Sequence, residues 1–131
     1  MFAHDPSGTV ILLVEDEVTI RNLVRTMLTD YGYAVLTAAD GVEAMEVCQR
    51  FSDPIDLLIT NVSMPRMDGL TLVQKVRGVR ANIKVIVMSG LVDDAILEGN
   101  RADAFLRKPF HPTALLKTIE DILDGRRATP I

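Results

Sequence analysis

Tryptophan is missing from this sequence, and cysteine occurs once, as Cys48. One thiol cannot close an internal disulfide, so the fold must rest on its hydrophobic core, and a reducing compartment is expected. The two histidines, His4 and His111, have no ligand-spaced partners, which argues against a zinc site of the finger type. No apolar run reaches the roughly 20 residues of a membrane-spanning helix. Residues 1–8 lack the basic start and apolar stretch of a signal peptide and read as a short flexible lead-in. A cytoplasmic protein is expected. Basic residues number 14 against 18 acidic ones, for a net charge of −4. That balance argues against general binding to nucleic acid.

The chain of 131 residues is 48% hydrophobic and 24% charged, enough for one packed domain with little room for a second. Residues 9–14 are an unbroken aliphatic and β-branched run, which suits a strand buried on both faces. Residues 33–38, 55–60, 83–88 and 104–106 read as four more strands. Between them lie helical patterns. Ile20, Leu23, Val24, Met27, Leu28 and Tyr31 recur at threes and fours, with Gly32 as a stop. Asp40-Gly41 opens a second helix with Ala44, Met45, Cys48 and Phe51 inward. Gly69 opens a third with Leu72, Val73, Val76 and Val79 inward. Residues 91–100 allow a short amphipathic helix. A last helix starts near Pro112 and carries Leu115, Leu116, Ile119, Ile122 and Leu123. The methionines and Cys48 fit packing roles. Strands alternating with helices predict an α/β fold with right-handed crossovers and a parallel sheet covered on both faces.

In open sheets of this kind, ligands bind beyond the C-terminal strand ends. Four predicted strands end in polar residues: Glu15 and Asp16 after the first, Asn61 after the third, Ser89 after the fourth, and Lys108 after the fifth. Each alone has an ordinary explanation, as a helix N-terminal charge, a turn residue or a solvated lysine. Together they suit a hard divalent cation, Mg²⁺, held by carboxylates, beside a hydroxyl and an ammonium able to hold phosphoryl oxygens.

The chain resembles the CheY-like response-regulator receiver domains of two-component signalling. The markers are Glu15-Asp16, Met64-Pro65 with Asp68-Gly69, Ser89-Gly90, and Lys108-Pro109-Phe110. Any one of these is weak, but together in this order they are specific. The resemblance spans residues 9–123. It implies a flavodoxin-like (βα)5 fold with strand order 2-1-3-4-5. It also implies that Asp16 ligates Mg²⁺ directly and that Glu15 acts beside it through water. The Ser63 backbone carbonyl would be a further ligand, and Asn61 itself a possible one. Ser89 and Phe105 would be switch residues. Lys108 would pair with a phosphoryl group or, without one, with the acidic site. The Lys108-Pro109 bond would be cis.

The resemblance fails where the chemistry would start. Asn61 stands at the position of the phospho-accepting aspartate, and an amide is a poor substitute for a carboxylate nucleophile. The chain as written is expected neither to accept a phosphoryl group nor to act as an enzyme. Its Mg²⁺ site is expected to be weakened by the lost charge. Asn61 fits an engineered Asp-to-Asn replacement, a natural receiver that works without phosphorylation, or one that competes for a kinase. A second departure is the spacing from Ser89 to Lys108, 108 − 89 = 19 positions, a few short of the family's habit. Arg101 also replaces a common Gly, with Gly99 able to cap in its stead. Both predict a short or irregular fourth helix.

The expected organisation is a lead-in at 1–8, a receiver domain at 9–124, and a tail or truncated linker at 125–131. The expected partners are a histidine kinase or histidine phosphotransfer protein. A downstream protein would dock on the face of the fourth helix, fifth strand and last helix. The chain is expected to be a monomer or weak homodimer that binds no nucleic acid or membrane. A phosphorylation-independent interaction module is the alternative. A flavodoxin-like small-molecule binder lacks support, because no Gly-rich phosphate cradle is present.

Overall fold

The structure, a computed structural model, describes residues 7–90 and 102–124. The elements run β1 (Val10–Val14), α1 (Val18–Tyr31), β2 (Ala34–Ala38), α2 (Gly41–Arg50), β3 (Leu57–Asn61), α3 (Gly69–Val79), β4 (Lys84–Ser89), β5 (Ala104–Arg107) and α4 (Pro112–Leu123). The five strands form one parallel sheet in the order β2-β1-β3-β4-β5. This is the flavodoxin-like order that the resemblance implied. The predicted segment at 91–100, its short fourth helix, residues 1–6 of the lead-in and the tail at 125–131 lie outside the described residues.

Alternation along each strand sorts the core into two layers. Leu12, Val14, Leu58, Val85 and Val87 face the side covered by α2 and α3, where Ala44, Cys48, Leu72, Val73 and Val76 meet them. Ile11, Leu13, Leu57, Ile59, Ile86 and Met88 face the other side, under Val24 and Leu28 of α1 and Leu115, Ile119 and Ile122 of α4. Both faces are buried, which is why the strands read as unbroken apolar runs. Each fully buried Leu or Ile contributes about 1.5–3 kcal/mol.

Helix ends follow local chemistry. Asp40 and Asp68 cap α2 and α3 by accepting from the backbone N–H groups of Glu43 and Thr71, each at 2.8 Å. Gly32 ends α1 in the left-handed conformation at φ 112°. Pro112 stands in the first turn of α4, where its missing N–H costs nothing.

Several expectations need correction. Asn61 and Ser89 are the last residues of β3 and β4, and not the first residues beyond them. Asn61 pairs with Met88, and Ser89 with Arg107. The ladder extends because a paired neighbour exists, whatever the side chain's polarity. β3 also begins two residues later than the apolar run suggests, at Leu57. Leu23 and Val79, expected inward, are 70% and 57% exposed. The buried stripe of α1 centres on Val24 and Leu28, four residues apart, which leaves Leu23 on the rim.

Candidate functional site

The topology fixes where a site must lie. β1 connects to β2 on one side and, by way of β2, the chain returns to β3 on the other, so strand direction of growth reverses between β1 and β3. Their C-terminal ends carry Glu15 and Asp16, and Asn61. A crevice at such a switch point is the usual ligand position in this architecture.

Glu15 is the hub. It is 1% exposed, directly after the last residue of β1. Lys108 Nζ donates to its Oε1 at 2.8 Å, closing an ion pair. Its Oε2 accepts from Asn61 Nδ2 and from the Glu17 backbone N–H at 3.1 Å. Arg21 Nη1 donates to the Glu15 backbone carbonyl at 2.9 Å and holds that residue from α1. A buried carboxylate needs such satisfaction, because desolvating an unpaired charge is costly.

Asn61 sits between the acids. Its Nδ2 also donates to Asp16 Oδ1 at 3.2 Å, so one amide group spans both carboxylates. Asn61 is 5% exposed, and its Oδ1 is buried with no hydrogen-bond partner. Asp16 itself is exposed. The two acids of the pair thus differ: one is engaged on all sides and the other opens to solvent.

Lys108 is brought in from the loop after β5, and the Lys108-Pro109 peptide bond is cis. The Lys108 backbone N–H donates to the Ser89 carbonyl at 2.8 Å, so the end of β4 and this loop are joined. Ser89 is half-buried. Phe105 pairs with Val87 in the sheet and packs half-buried against the α2–α3 side of the core. Ser63 is exposed in the loop from β3 to α3, two positions after Asn61. That loop closes at its base, where the Gly69 N–H donates to the Val62 carbonyl at 2.7 Å. A Cβ at Gly69 would collide with the Asn61 backbone carbonyl, so the loop's return against β3 requires glycine.

The donor set fits a hard cation. Two carboxylates and one buried amide oxygen without a hydrogen-bond partner are oxygen donors, and the Ser63 backbone carbonyl follows two positions after Asn61 in the chain. Among the described residues no group of three or more Asp, Glu, His or Cys side chains gathers to hold a metal. A cation here would rest on two charges and neutral oxygens.

One feature of this edge escaped the sequence reading. Arg66, in the same loop, makes a two-pronged ion pair with Asp40, with Nε to Oδ2 at 2.8 Å and Nη2 to Oδ1 at 3.0 Å. The guanidinium is the chief reason the Asp40 carboxyl is held below the usual carboxylate range, with the Glu43 N–H adding to it. The partners are 26 positions apart, and no local pattern joins them. An apolar groove of about 470 Å³ lies beside the site, lined in part by Ile20, Leu23, Met27, Pro109 and Phe110, with Lys108 at its edge.

A parallel α/β sheet with an acid pair, a buried amide and a lysine at its switch-point edge gathers polar groups where ligands bind in this architecture. The chain belongs to the response regulator receiver domain family, whose model matches residues 11–120. It is 40% identical over 126 residues to the sensor kinase CckA of Brucella abortus, covering 93% of this chain and 13% of that kinase. Among solved structures it is similar to the chemotaxis protein CheY4 of Vibrio cholerae, with 33% identity and a TM-score of 0.81 over 87% of this chain and 98% of that one. It is also similar to the response regulator TrrA of Thermotoga maritima, solved in complex with Mg(2+)-BeF, with 30% identity and a TM-score of 0.76 over 87% of this chain and 98% of that one. No helix among the described residues is long and apolar enough to cross a membrane.

Proposed function

We propose that this chain is a receiver domain of a two-component phosphorelay whose acceptor position is occupied by Asn61, so that phosphoryl input is disabled. The observation that carries this is the meeting of Glu15, Asp16, Asn61 and Lys108 at one sheet edge, from segments as far as 93 positions apart. Asp16, Glu15, Asn61 Oδ1 and the Ser63 carbonyl are the groups to hold Mg²⁺, which supplies positive charge to phosphoryl oxygens when bound. TrrA, similar in fold and sequence, is solved with Mg(2+)-BeF, which supports this assignment. Lys108 and Ser89 are the residues to hold phosphoryl oxygens, and Ser89 with Phe105 the residues to report them. The nucleophile is what is lacking: an amide nitrogen aimed at two carboxylates offers no attacking oxygen anion.

The partner is a histidine kinase or phosphotransfer protein, in keeping with the sensor kinase among the relatives. The apolar groove between α1 and the loop before α4, with Lys108 at its edge, suits a docking helix, and Leu23 is exposed there. A downstream protein would use the face carrying β5 and α4. A cytoplasmic location follows from such partners.

A second reading has its own support. The Asn61 amide and the Lys108 ammonium compensate the acid pair without metal or phosphate. A domain balanced in this way suits phosphorylation-independent partner binding. Mg²⁺ titration followed by thermal unfolding separates the two. Under the first reading, millimolar Mg²⁺ raises the melting temperature of the unaltered chain, and the rise is larger in Asn61→Asp. Absence of a shift in both would remove the cation site and leave the second reading.

A further inference from the structure

Arg66 holds φ at 68°, the left-handed region that residues other than Gly, Asn and Asp seldom occupy. Something must hold it there, and its guanidinium is bound by both oxygens of Asp40. Asp40 is itself fixed, because its Oδ1 also caps α2 through the Glu43 N–H at 2.8 Å. The neighbouring Met67 is seated on Gly41, the first residue of α2: a Cβ on that glycine would lie 2.7 Å from Met67 Cβ. The loop from 62 to 68 is closed at its base by the Gly69–Val62 hydrogen bond, and its tip turns through the Met67 N–H to the Pro65 carbonyl at 2.8 Å. Beyond these local bonds, Arg66 and Met67 tie the tip to α2. Ser63 lies between base and tip.

We propose that the Arg66–Asp40 fork, with Met67 seated on Gly41, is a positioning clamp that fixes the 62–68 loop against α2 and thereby presents the Ser63 backbone carbonyl to a divalent cation at the acid pair. The inference rests on the cation-site reading given above. Arg66 touches neither acid. It acts through the loop backbone, by removing freedom that cation binding would otherwise have to remove. The left-handed residue is then a conformation maintained for the loop's path, with a side chain long enough to reach its own restraint.

Charge and positioning give opposite signs, which makes the clamp testable. If Arg66 acted only as a cation near the site, its removal would strengthen Mg²⁺ binding. A clamp predicts weakening. The test is calorimetric titration of the whole chain with Mg²⁺ for the unaltered protein, Arg66→Asn, Asp40→Asn and the double variant. Asn tolerates the left-handed backbone and caps helices well, so Arg66→Asn removes the fork and Asp40→Asn removes its ion pair and one of its two prongs, with backbone and cap spared. Each single variant is expected to bind about fivefold more weakly, and the double no worse than either, because one interaction is lost in all three. Equal or tighter binding by Arg66→Asn, or additive losses in the double variant, would overturn the clamp while leaving the cation site standing. If the unaltered chain takes up no Mg²⁺ at millimolar concentration, the cation site itself fails and the clamp falls with it.

Discussion

Lys108 Nζ lies 2.8 Å from Glu15 Oε1, an ion pair between a loop after the last strand of the sheet and the buried end of the first. The Glu15 side chain is 1% exposed and that of Lys108 25%, so the carboxylate depends on this partner far more than the ammonium does. Lys108→Met is therefore expected to lower unfolding stability by about 1–3 kcal/mol, the cost of leaving a desolvated charge short of a partner. Urea unfolding measures it. Adding Glu15→Gln to Lys108→Met should recover part of the loss, and strict additivity of the two changes would show that the pair is not coupled.

The Asn61 amide does the work of a cation between the acids. Replacing it with aspartate removes two N–H donors and places a third carboxylate beside Glu15 and Asp16. In metal-free buffer Asn61→Asp should be less stable by about 2 kcal/mol or more, the loss shrinking as Mg²⁺ is added. Thermal unfolding with and without a chelator reads both limbs. A variant as stable as the unaltered chain in chelator would mean that the acids do not sense position 61.

Gly69 is required by space. Gly69→Ala would drive a Cβ into the Asn61 carbonyl, which belongs to a central strand and cannot swing aside. The expected cost is about 2–3 kcal/mol by chemical unfolding. Gly41→Ala meets Met67 Cβ at 2.7 Å, an atom that moves only with the 62–68 loop, and should cost less than the clash of Gly69→Ala with a central-strand carbonyl. The reverse ranking would contradict the placement of the loop.

Alkaline pH gives an independent check on the α1–α4 side of the core. Burial, with smaller contributions from Tyr31, Glu120 and Asp124, pushes the Tyr33 phenol up from 10.0 to about 12. Tyr33 is 3% exposed and stacks on Tyr31 at 5.8 Å between ring centroids. A group whose pKa is raised on folding gives stability that is present in full below its unfolded pKa and is lost as pH climbs towards the folded one. Stability should therefore hold up to about pH 10 and fall between there and about pH 12. Tyr33→Phe should flatten that limb, and tyrosinate absorbance should report the late ionisation. A Tyr33 phenol titrating near 10 would show that the ring is not buried as described.

The architecture was legible because parallel strands buried on both faces leave long apolar runs, and because Gly32, Asp40, Asp68 and Pro112 punctuate the helices. The polar strand ends were legible for the same reason: Glu15, Asn61 and Ser89 interrupt those runs. Other features depend on pairing across the fold. Asn61 and Ser89 are within strands because Met88 and Arg107 lie opposite them. Glu15, read as the acid acting at second hand, is the buried hub, since its depth is set by where β1 ends relative to α1 and Lys108. The Arg66–Asp40 fork joins two loops whose proximity only the sheet order creates. Leu23 follows the same periodicity as Val24 and Leu28, yet it falls outside the stripe that α1 buries.

As proposed above, a phosphoryl-transfer site surrounds a residue that cannot accept the group. The most direct measurement is the intact mass of the unaltered chain and of Asn61→Asp after incubation with a small-molecule phosphodonor, with and without Mg²⁺. The expected result is one labile phosphoryl group on Asn61→Asp in the presence of Mg²⁺, and none on the unaltered chain under either condition. Phosphorylation of the unaltered chain, or none on a folded Asn61→Asp that binds Mg²⁺, would contradict the assignment.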